Sequence, residues 1–107
     1  MTKDITLGSC NVFADLGMPD ANERQTKTRL AKAANDIIEE RGLKQVETAE
    51  ILGIPQPRVS ALTRYKLSDF SVEKLLEFLT LLDHDVEIMI RPRASHNTGK
   101  VSVLTVR

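Results

Sequence analysis

Residues 43–62 read LKQVETAEILGIPQPRVSAL, and the fold of the chain turns on how this stretch is parsed. Gly53-Ile54-Pro55 divides it into two short helical segments, Gln45–Leu52 and Gln56–Arg64. Two helices that cross steeply over a turn of about three to four residues make strict local demands. A small residue must stand midway along the first helix, where the second passes over it, and Ala49 stands there. A residue that accepts positive φ is needed in the turn, and Gly53 supplies it. Apolar residues must face the core after the turn and along the second helix; Ile54, Val59 and Leu62 do so. A single one of these matches is weak, but the set together is specific.

With Val59 and Leu62 turned inward, the second helix presents Gln56, Pro57, Arg58, Ser60, Ala61 and Arg64 outward. In a helix-turn-helix unit the second helix enters the major groove of DNA, and its N-terminal residues reach base edges. The chemistry of those side chains matches base edges. Gln pairs in bidentate fashion with adenine, Arg with guanine, and an Ala methyl meets a thymine methyl. Gln45 opens the first helix, where a side-chain amide beside backbone N–H groups can hold a phosphate. Lys66 and Ser68, just past the second helix, are further phosphate candidates.

Outward from this unit the chain reads as mainly α. Asp20 with Glu23 resembles a capping box, and a helix from there to about Arg41 stops at Gly42. Leu30, Ala33, Ala34, Ile37 and Ile38 form its apolar stripe. Its first half, Asn22 to Arg29, has no apolar residue, a pattern of a helix that is solvated, frayed or awaiting a partner. Ser71 caps a last helix ending near Leu82, with Leu75, Leu76, Phe78, Leu79 and Leu82 on its buried face. From Val86 the period changes to two, which predicts a strand over 86–91, and Val101–Val106 is a second β-prone run. Residues 1–19 read as an N-terminal arm, 20–84 as the helix-turn-helix domain, and 85–107 as a C-terminal strand or hairpin extension.

Fifteen basic and fifteen acidic residues cancel over the 107 residues, but they are segregated. The run 54–68 carries Arg58, Arg64 and Lys66 with no acid, whereas 69–90 holds six acids against Lys74 alone. A neutral chain holds random DNA poorly, because non-specific affinity follows the phosphates neutralised. A local basic face is still compatible with specific reading. No apolar run approaches the roughly 20 residues of a membrane span. The single Cys10 rules out an internal disulfide and fits a reducing cytoplasm. His84 and His96 stand apart from Cys10, so no metal-ligand spacing emerges. Asp83, Asp85 and Glu87 lack the glycine-bearing loop of a calcium site. No phosphate loop or dinucleotide fingerprint is present, and neither an enzyme nor a cofactor is expected.

Beyond these residues the chain resembles the Xre/Cro-type (lambda-repressor-like) regulators, and more closely the HigA-like antitoxins of bacterial toxin–antitoxin modules. The resemblance rests on residues 11–17 (NVFADLG), 37–43 (IIEERGL), 56–62 (QPRVSAL), Phe70-Ser71 before Leu75-Leu76, and 85–92 (DVEIMIRP). It implies a five-helix core, a dimer, operator contacts by Gln45, Gln56, Arg58 and Ser60, and autorepression. It further implies a toxin partner, usually a small RelE-like ribosome-dependent endoribonuclease. The chain departs from the pattern in three places. Lys44 stands where Thr or Ser is the usual N-cap, Tyr65 and Asp69 replace glycines common in the following loop, and 93–107 extends past the usual end.

Assembly follows from a separate consideration. A lone two-stranded hairpin is marginal in water, so 86–91 and 101–106 either pack on the helices or pair across a two-fold axis. A symmetric homodimer would read a palindromic operator with half-sites about one helical turn apart. A RelE-like toxin, being basic, would dock on residues 1–29. Two other readings stay open: a stand-alone Xre-type repressor without a toxin, and a protein-interaction module whose helix-turn-helix is vestigial.

Overall fold

The computed structural model describes residues 20–93 and 99–106. Residues 1–19, with Cys10, and residues 94–98, with His96, lie outside the described residues. Four helices follow one another: α1 Asp20–Glu40, α2 Gln45–Leu52, α3 Gln56–Thr63 and α4 Val72–Leu81. The core is formed mainly where α1 packs on α4 and α2 on α3, with α1 also against α3 and α2 against α4.

The 21 residues of α1 make it the longest element, about 31 Å at 1.5 Å per residue. Leu30, Ala34, Ile37 and Ile38 are buried as the stripe requires, Ala33 packs at its edge, and Ala31 is also fully covered. The polar half is not simply solvated. Thr26 is buried with its hydroxyl donating to the Asn22 carbonyl at 3.0 Å, and Asn22, Glu23 and Lys27 are half-buried. Gly42 ends the helix with φ 62°, its N–H donating to Glu39 O while the Leu43 N–H reaches Ile38 O. These paired bonds form a Schellman closure, the stop that the glycine signals.

Ser71 caps α4, its hydroxyl accepting from the Lys74 N–H at 3.0 Å. Leu75, Phe78 and Leu82 are wholly buried, Leu79 nearly so, and Leu76 packs at the margin. Each such side chain contributes about 1.5–3 kcal/mol of transfer free energy, enough to hold a helix of three turns that would not persist alone.

The C-terminal expectation is overturned. Among the described residues there are four helices and no strand, so neither the five-helix count nor the C-terminal β-strand or hairpin holds. The physical reason lies in what β-propensity measures, which is fit to a pleated surface with neighbours rather than an intrinsic backbone state. Here the core is helical and offers no sheet edge to extend. Val86 and Val103 dip onto the helices, while Ile88, Met89, Ile90, Leu104 and Val106 stay 57–88 % exposed. Alternation in 86–91 therefore does not sort its side chains into one buried and one exposed face.

Candidate nucleic-acid interface

The turn between α2 and α3 is built from local bonds. Lys44 holds the N-cap position with extended backbone (φ −80°, ψ 163°), and its side chain has no acceptor to offer the first turn. Glu47 compensates by accepting from the Lys44 N–H at 2.9 Å, the reciprocal half of a capping box. Thr48 is wholly buried and returns its hydroxyl to the Lys44 carbonyl at 2.9 Å. At the other end Gly53 takes φ 69°, and the Gly53 and Ile54 N–H groups both close on Ala49 O, at 2.8 and 3.1 Å. Pro55 then caps α3 with φ −66°, and Pro57 lies in the first turn, where its missing N–H costs nothing.

On α3 only Val59 and Leu62 are buried, as the inward pair. Gln56 and Pro57 at its start and Arg64 at its end are exposed, as are Gln45 at the head of α2 and Lys66 beyond α3. Within the acid-free run 54–68, Gln56, Pro57, Arg64 and Lys66 are thus exposed, while Gln45 stands on α2 with the exposed Glu47 and Glu50. Ser60 is half-buried, and Ala61 packs partly against the core.

Arg58 differs from the others. It lies four residues before Leu62, hence about 40° around the helix from a fully buried position. Its side chain is half-buried, with the guanidinium carbon 4.5 Å from the centre of the Phe70 ring. Its Nη2 donates to the Asp69 carbonyl at 3.4 Å, and its Nε is buried with no hydrogen-bond partner among the described residues. Periodicity alone places Arg58 with the outward residues, and its fourfold spacing from Leu62 is the sequence signal for its partial burial.

Two further residues shape the interface without an obvious sequence signal. Asn35 on α1 donates through Nδ2 to the Leu62 carbonyl at 3.1 Å, tying the end of α3 to the long helix. Tyr65 leaves α3 in the left-handed conformation, φ 60°, and is 44 % exposed. The Tyr65 N–H reaches Leu62 O and the Lys66 N–H reaches Ala61 O, a second Schellman closure with tyrosine in the glycine position. The loop path is thereby kept although the usual glycine is gone. Asp69, at the other substituted glycine, is not in the left-handed region.

The acidic run 83–87 forms no ligand cluster. Asp83 sits 3.7 Å from Arg41, and no group of His, Cys, Asp and Glu among the described residues is arranged to hold a metal ion. No described helix is long and apolar enough to cross a membrane.

Two small helices joined through a left-handed glycine, the second free of acidic residues and followed by the exposed Arg64 and Lys66, define a helix-turn-helix protein. A family model described as a helix-turn-helix domain matches residues 12–91. A solved structure named for the XRE family of transcriptional regulators is 52% identical, with a TM-score of 0.78, covering 82% of this chain and 100% of that one. No curated protein matches. The chain belongs to the helix-turn-helix domain family and to the XRE family of transcriptional regulators.

Proposed function

We propose that the chain is a sequence-specific transcriptional regulator that binds a palindromic operator as a homodimer and represses its own gene as the antitoxin of a toxin–antitoxin pair. The observation that carries the DNA-reading part is the presentation of α3. Gln56, Pro57 and Arg64 are exposed along it, flanked by Gln45 and Lys66, with no acid between residues 54 and 68. Arg58, Ser60 and Ala61 complete the reading set from half-buried positions. Membership of the XRE family supports the same reading. The homodimer is supported by the exposed Ile88, Met89, Ile90, Leu104 and Val106, apolar surface that a second copy would cover. The extension 85–107 is the dimerisation segment in this reading. The antitoxin role is supported by the resemblance to HigA-like proteins, with a RelE-like toxin docking on residues 1–29.

Binding of the purified chain to its own upstream DNA, competed with random duplex across a salt series, tests the DNA-reading part. Arg58→Ala is expected to cost about 1–3 kcal/mol and to relax preference at one base pair. Lys66→Ala is expected to weaken all sequences alike and to flatten the salt slope by about one unit. Wild-type binding no tighter than to random duplex would contradict the reading.

A further inference from the structure

Arg58 is the one candidate base reader whose charged group already has a fixed seat in the free protein. Its guanidinium lies 4.5 Å from the centre of the Phe70 ring, and its Nη2 is held by the Asp69 carbonyl. Phe70 itself cannot move freely. It is 1% exposed and meets Phe78 edge-to-face at 5.8 Å and 74°, and Phe78 is wholly buried in α4. Phe70 and Asp69 belong to the connection between α3 and α4, and the buried Phe70 ring anchors the seat to the core.

We propose that Phe70 is a positioning residue for operator specificity, a buried platform that holds the Arg58 guanidinium in the plane from which it reads a base edge. This rests on the assignment of Arg58 as a base reader. A guanidinium carries five N–H donors. The buried Nε takes one out of play and the Asp69 carbonyl occupies a second, which leaves three, all on the two terminal nitrogens. Guanine offers O6 and N7 as a pair of acceptors, and two terminal nitrogens side by side match them. A free arginine side chain loses rotamer entropy when it is fixed, and a pre-seated one has already lost much of it. The ring thus makes a contact at the DNA stronger and more directional without touching DNA.

The test begins by selecting the preferred duplex of the full-length chain from a random pool, then measuring its affinity for every single base-pair variant. Wild type, Arg58→Ala, Phe70→Leu and Phe70→Met are compared, each checked for helix content by circular dichroism at low temperature. The methionine variant, whose unbranched side chain adapts to irregular gaps, covers the case in which leucine fails to fold. Arg58→Ala is expected to lose about tenfold or more discrimination at one base pair. The Phe70 variants are expected to lose most of the discrimination at that same pair, while preference elsewhere and affinity for random duplex stay as in wild type. Folded Phe70 variants that keep full discrimination at that pair would overturn the platform role and leave the base-reading assignment intact. Sharper discrimination would overturn it too, by showing that the ring holds Arg58 back from DNA. If Arg58→Ala leaves every base-pair preference unchanged, the base-reading assignment fails and the platform role with it.

Discussion

The chain enters α3 through Gly53 and leaves it through Tyr65, and the two turns have almost the same backbone, φ 69° and 60°. Their energetics are opposite. Glycine takes the left-handed region without steric cost, whereas a residue with a Cβ meets its own carbonyl there at roughly 1–2 kcal/mol. The entry turn is relaxed and the exit turn stores strain. At Tyr65 that strain is offset by the two Schellman bonds, by Leu62 beneath them, and by the Asn35 amide that shares the Leu62 carbonyl. One helix can therefore be positioned by local preference at one end and by tertiary contacts at the other. Asp83, which ends α4 with φ 66° and the same pair of closing bonds, lies between the two cases, because Asp tolerates this region better than Tyr.

The largest effect should come from spoiling the relaxed turn. Gly53→Val puts a β-branched side chain at φ 69°, and although open space surrounds the position, the backbone strain alone should destabilise the fold by about 2 kcal/mol. Urea denaturation reads this directly, and an unchanged midpoint would erase the distinction between the turns. Relaxing the strained turn should act in the other direction. Tyr65→Gly removes about 1–2 kcal/mol of strain and adds roughly 0.5–1 kcal/mol of unfolded-chain entropy, leaving a net gain of about 0.5–1 kcal/mol. A lower denaturation midpoint in that variant would show that the tyrosine side chain stabilises the free protein. The smallest change belongs to Asp83→Gly. Its relief of strain is slight, and the 3.7 Å contact with Arg41 that it removes is largely exposed. Such pairs are worth about 0–1 kcal/mol, so the midpoint should shift less than for Tyr65→Gly.

Features encoded within a few residues are legible in the sequence alone. The glycine stops at 42 and 53, the Ser71 cap and the bounds of α2 are each fixed by bonds between near neighbours, and helical spacing alone marks the inward pair Val59 and Leu62. Features that need a distant partner are not. The runs 86–91 and 101–106 have strand-forming residues but form no strand among the described residues, and no local pattern reveals that. The same limit applies at the interface. Periodicity places Arg58 on the accessible side of α3, yet its guanidinium is seated by Phe70, twelve positions along the chain. Lys44 shows a third kind of gap: the missing cap is visible in the sequence, while its replacement by Glu47 depends on a side-chain rotamer.

The most direct test is an amide-shift titration of the nitrogen-labelled chain with its selected duplex. Operator reading by α3 predicts that the perturbed amides cluster at Gln45, from Gln56 to Arg64, and at Lys66, and that random duplex moves them far less at the same salt. Shifts confined to residues outside this stretch, or equal shifts with both duplexes, would contradict it.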